Sequence, residues 1–138
     1  MARLAPLIWA CGAMALLTYV VAGRMLVLRM AELKAKRIHP QELATSAGLA
    51  KLDSVRVADN FRNLFEMPVL FYTVCVLGMV TGHAGSFFVG CAWAFVALRC
   101  VHSAIHCTYN KVRHRFYAFA ASCAVLAAMW VSLVRSLA

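Results

Sequence analysis

Arg56-Val-Ala-Asp-Asn-Phe-Arg-Asn-Leu-Phe-Glu-Met-Pro68 is the stretch that decides how this chain folds, because it carries Asn63 and Glu66 into an apolar run. Arg99-Cys-Val-His-Ser-Ala-Ile-His106 does the same for an arginine and two histidines. Polar and ionisable side chains inside an apolar helix are expensive in lipid, so they face a bundle interior or water and mark functional positions. Two such groups on different helices point to one shared site.

The surroundings of both stretches are those of a membrane protein. Apolar residues make up 64% of 138 residues, and the mean hydropathy is +0.77. A soluble domain does not have this composition. Crossing the hydrocarbon takes about 20 apolar residues in helical form. The pattern predicts an all-α integral membrane protein, a single domain over 1–138, with helices about 5–28, 52–82, 84–108 and 115–137 and one long polar loop about 30–51. Helix 2 begins ahead of the membrane and enters it near Asn63, and Pro68, which has no N–H, kinks it. The first apolar run is longer than a signal peptide's and is closed by Arg24 and Arg29, so it reads as a retained span.

The formal charge of +9 comes from 14 Lys and Arg against 5 Asp and Glu. Eight of the cations lie between Arg24 and Arg62, four lie between Arg99 and Arg115, and the segment joining helices 2 and 3 has none. Nucleic-acid binding does not explain this placement. The positive-inside rule does: it puts both basic loops in the cytoplasm and both termini on the non-cytoplasmic side. Anionic lipid head groups are natural partners for those loops. Trp9 and Trp130 fit the outer aromatic belt. The six cysteines lack any Cys-x-x-Cys spacing and fall almost wholly in spans, so they read as free apolar thiols.

In the connector, Pro40 suits the first turn of a short helix, with His39 pushed out of the helical region. Thr81-Gly82-His83-Ala84-Gly85 reads as a tight turn. At 100° per residue, Arg56, Asp59, Asn63 and Glu66 share one sector of helix 2. Arg99, His102, His106, Tyr109 and Arg113 share a stripe of helix 3 if that helix continues through them. Both stripes sit at the basic end, so the two faces meet each other, a neighbouring subunit or water. A four-helix chain with so much polar content at one end is expected to oligomerise.

Asn63-Leu-Phe-Glu66-Met-Pro68 resembles the signature of the MAPEG proteins, the membrane-associated proteins in eicosanoid and glutathione metabolism. The four spans, the long first loop and the pattern Arg99-x-x-His102-x-x-x-His106 with Arg113 beyond are also similar to that family, over nearly the whole chain. The resemblance implies a MAPEG-like four-transmembrane-helix bundle, a homotrimer, and glutathione held between subunits near the cytoplasmic face. It also implies a glutathione-dependent transferase or peroxidase acting on a lipophilic small-molecule substrate. By the same resemblance Asn63, Glu66, Arg62, Arg99, His102, His106 and Tyr109 bind glutathione, and Arg113 stabilises the thiolate. A nearby cation lowers a thiol pKa from its usual value near 8.5, and the thiolate is the nucleophile. Asp59 stands where the family usually has an arginine, and His102 and His106 stand where many members have tyrosines. A divergent bacterial-type member, in the inner membrane, matches that pattern. Two other readings stay open: a non-catalytic ligand-binding or assembly protein on the same fold, and a metal or proton-relay site on Glu66, His102 and His106.

Overall fold

The computed structural model describes residues 4–49 and 52–138. Its first helix, α1, spans Ala5–Lys36, with a proline in the first turn, where the missing N–H costs nothing. Lys34 and Lys36 lie in its last turn, favourable positions against the negative end of the helix dipole. The left-handed Arg37 (φ 52°) ends it, its N–H donating to the Leu33 carbonyl. α1 therefore runs eight residues beyond the expected end near 28. Helical propensity through Met-Ala-Glu-Leu-Lys-Ala-Lys carries the helix past the apolar stretch.

The connector has its own structure. His39 is extended (ψ 135°), and its Nδ1 accepts from the Gln41 N–H to open a 3-10 helix over Pro40–Ala44. A short helix, α2 (Ser46–Leu49), follows. Two contacts tie the chain beyond it to the end of α1. The Ser54 hydroxyl donates to Glu32 at 2.8 Å, and the Lys36 ammonium pairs with Asp53 at 2.8 Å.

The second span is two helices, α3 (Val55–Asn63) and α4 (Met67–Val80), joined through Leu64–Glu66. The expected kink at Pro68 is thus a full break a turn earlier. The proline ring collides with the carbonyl four residues back, at Leu64, and has no N–H to bond it. Tightened bonds bridge the break: Leu64 N–H to the Asn60 and Phe61 carbonyls and Phe65 N–H to the Arg62 carbonyl.

Gly82, at φ 72°, makes the reversal into α5 (Ser86–Cys107), as the glycine-rich turn predicts. A second reversal, through the left-handed Asn110 (φ 48°), leads to α6 (Val112–Leu137). Short connections make sequential spans antiparallel neighbours. His83 against Ser132 (3.0 Å) marks one end of the bundle, and Arg24 against the Cys107 carbonyl (3.0 Å) marks the other, basic end. α5 packs most extensively on α6 and also touches α1 and α3. Leu7, Met14, Phe71, Phe88, Phe95 and Met129 fill the centre, with Phe71 and Phe95 stacked at 4.6 Å. Trp9 faces outward, while Trp130 packs partly against the core. In lipid such packing, together with interhelical hydrogen bonds, is what holds helices together.

Candidate functional site

The break between α3 and α4 lies at the depth where α5 carries its polar residues. Arg99 is completely buried there, and its Nη2 donates to the Asn63 backbone carbonyl at 2.9 Å. The guanidinium carbon lies 5.8 Å from the centre of the Phe119 ring, a cation–π distance. Among the described residues, Nε and Nη1 of Arg99 have no hydrogen-bond partner. The charge of Glu66, which opens α4 from an exposed position, reaches this guanidinium.

One turn on, His102 and His106 are also buried, their rings 5.7 Å apart. His102 Nδ1 is 3.2 Å from the Arg115 carbonyl, an acceptor only, so Nδ1 carries a proton, and among the described residues Nε2 has no partner. His106 has the same tautomer for the opposite reason. Its Nε2 faces the Arg115 Nη1 at 2.9 Å, and a guanidinium only donates. Arg115 also donates to the Asn110 side chain at 3.0 Å, which ties the turn to α6. Beside these groups is a cavity of about 240 Å³ lined by Asn63, His102, Val112, Arg115, Phe116 and Phe119. It combines amide, imidazole and guanidinium with aromatic walls.

Below it, Asn60 links α3 to α5. This fully buried amide donates to Cys107 Sγ (3.4 Å) and accepts from the Ser103 hydroxyl (3.3 Å). The Cys107 carbonyl, at the end of α5, is in turn capped by Arg24 of α1.

The structure thus gathers Asn63, Arg99, His102 and His106, with Glu66 in electrostatic reach. It does not gather the rest. Arg62 is exposed, 3.8 Å from Asp59, and lines a separate recess with Arg29 and Ser54. The expected stripe on helix 3 stops at His106, because α5 ends at Cys107 and the chain reverses through Asn110. Tyr109 and Arg113 are therefore off that face. Tyr109 is exposed, its hydroxyl 3.2 Å from His114 Nδ1. Arg113 is exposed in a surface recess with Lys111, His114 and Tyr117. Among the described residues no three His, Cys, Asp or Glu side chains are placed to hold a metal ion, and Glu66, His102 and His106 do not converge as ligands. Arg115, Phe119, Asn60 and Ser103 are the residues that helical phasing missed. Asn110 was the available signal for the first two, since asparagine favours the left-handed conformation that resets the register.

Four apolar helices, a polar cluster at one end and a broken second span define a multi-pass integral membrane protein with an open cavity beside that cluster. The MAPEG family matches residues 7–135, and the chain belongs to it: a membrane protein of the family of glutathione and eicosanoid metabolism. No curated protein and no solved structure matches the chain.

Proposed function

We propose that this protein is a glutathione-dependent transferase or peroxidase acting on lipophilic electrophiles dissolved in the membrane. The observation that carries the reading is Arg99, a fully buried cation with two nitrogens unpartnered among the described residues, touching two residues of the cavity wall. An unmatched charge at this depth is costly unless an anion answers it. Glutathione brings two carboxylates and an ammonium. Arginine takes carboxylates through its planar fork of donors. Asn63 and Glu66 suit the peptide and its amino group.

In this reading the subunits form a homotrimer, with the basic end in the cytoplasm of a bacterial cell and glutathione bound between neighbours. Arg113, exposed on one subunit, stabilises the thiolate across that interface, while Arg62, His102, His106 and Tyr109 complete the binding surface. The thiolate sulfur bonds to the electrophilic carbon as the leaving group departs with its electron pair.

The test is calorimetry of glutathione binding to detergent-purified protein, with thiolate absorbance followed in parallel. Glu66→Ala is expected to weaken binding by about 10-fold or more, since a hydrogen bond to a charged group contributes about 1.5–3 kcal/mol. Arg113→Ala is expected to bind glutathione and lose the thiolate signal. No binding at millimolar glutathione refutes the proposal and leaves a non-catalytic ligand-binding or assembly protein on the same fold.

A further inference from the structure

A helix broken inside a membrane leaves backbone groups that water does not reach, and such breaks persist only where other groups satisfy them. In an unbroken second span the Asn63 carbonyl accepts from the Met67 N–H four residues on. Here α3 ends at Asn63 and α4 starts at Met67, with Glu66 between them in a non-helical conformation (φ −92°, ψ −86°). The donor that reaches the Asn63 carbonyl comes instead from α5: Arg99 Nη2, at 2.9 Å. Arg99 is fully buried and stacked over Phe119 of α6, so its head is fixed by packing as well as by the bond. The same device recurs nearby, where Arg24 of α1 donates to the Cys107 carbonyl at the end of α5.

The two residues that straddle the break are Asn63, on the cavity wall, and Glu66, whose charge reaches Arg99. Their relative orientation depends on how far α4 is turned from α3. A restored helical turn at 63–67 would rotate Glu66 relative to Asn63 and set the amide differently against His102. Pro68 permits the break by lacking an N–H. It does not choose the angle, and a guanidinium anchored on two other helices can.

We propose that Arg99 is a positioning residue: by donating to the Asn63 carbonyl it clamps the break in the second span at the angle that presents Asn63 and Glu66 together to the ligand. The structural half of this stands by itself, and the ligand half rests on the glutathione reading above. The clamp uses Nη2 alone, and among the described residues Nε and Nη1 have no hydrogen-bond partner.

The experiment uses the full chain in detergent, as Arg99→Lys, Arg99→Gln, Pro68→Ala and the double variant Arg99→Gln/Pro68→Ala. It reads the thermal midpoint and the glutathione KM and kcat with 1-chloro-2,4-dinitrobenzene. Because Pro68→Ala restores an N–H and lets the turn close, the midpoint lost on Arg99→Gln is expected to fall by half or more in the Pro68→Ala background. Arg99→Lys keeps the charge and loses the fork. It is expected to raise the glutathione KM about 10-fold, the scale of one lost hydrogen bond to a charged group, with kcat within about twofold. Losses in midpoint that add independently overturn the clamp. An unchanged KM in Arg99→Lys, or a fall in kcat with KM constant, overturns the positioning role. If the wild type does not use glutathione, the function proposed above falls and takes the ligand half with it, while the midpoints still decide the clamp.

Discussion

Replacing Asn60 by alanine is the sharpest probe of how α3 is held against α5. The amide is fully buried and makes two interhelical bonds, to Cys107 Sγ at 3.4 Å and from Ser103 Oγ at 3.3 Å. Interhelical hydrogen bonds within membrane proteins contribute on average about 0.6 kcal/mol each, so the pair together contributes about 1.2 kcal/mol. Truncation also orphans the Ser103 hydroxyl, at a cost of about 1–3 kcal/mol. The low end applies, because a serine in a helix can turn to the carbonyl four residues back. The sum is about 2–3 kcal/mol for Asn60→Ala. Ser103→Ala removes only the hydroxyl's bond to the amide and is expected to cost about 0.6 kcal/mol. The double variant removes the orphan and is expected to be less destabilised than the two single losses added, by about 1.5 kcal/mol, the shared bond and the orphan together. Unfolding from mixed micelles by SDS, followed by tryptophan fluorescence, measures all three. Asn60→Ala within about 0.5 kcal/mol of wild type, or strict additivity, would refute the reasoning.

Two further expectations follow from other parts of the bundle. At Gly78 an added Cβ would lie 2.7 Å from Cε1 of Phe88, whose ring is buried against the core. Gly78→Ala is therefore expected to cost about 1–3 kcal/mol by overpacking, and an unchanged unfolding midpoint in the same assay would contradict the close approach of α4 and α5. In the connector, the Lys36 ammonium beside Asp53 holds its carboxyl below the usual carboxylate range. A carboxyl with a depressed folded-state pKa stabilises above its unfolded value, near 3.9, and that contribution disappears as pH falls through the folded value. Asp53→Asn should thus leave a small deficit at neutral pH that vanishes in acid below about pH 4, the pair being too exposed for more. Thermal midpoints of both proteins across pH 3–7 check this, and a deficit that grows on acidification would contradict it.

Much of the architecture was readable because lipid imposes so few solutions. Apolar stretches of the necessary length gave the four spans, Gly82 gave one reversal, and Pro40 and Pro68 marked a helix start and an interruption. The exact lengths were less legible. α1 continues to Lys36 because helix-favouring residues outlast the apolar ones, and nothing in hydropathy reports that. At the site, periodicity within α3 and α5 found Asn63, Arg99, His102 and His106, since a continuous helix preserves phase. It failed where the phase was reset: α5 ends at Cys107, and the turn through Thr108 and the left-handed Asn110 took Tyr109 and Arg113 off the stripe and brought Arg115 to His106. Asn60 and Ser103 were illegible for another reason. Their pairing joins two helices, and neither helix alone records which face the other presents.

The length of α1 has a mechanical consequence. At about 1.5 Å per residue its 32 residues reach about 48 Å, against a hydrocarbon layer of about 30 Å. The surplus turns stand beyond the lipid like a mast, and the Ser54–Glu32 and Lys36–Asp53 contacts lash the start of the second span to it. What reads in the sequence as a loose basic tether is an outrigger braced at both ends. A molecule arriving at that end of the bundle meets a wall already standing, and the entropy of building it is not charged to the arrival.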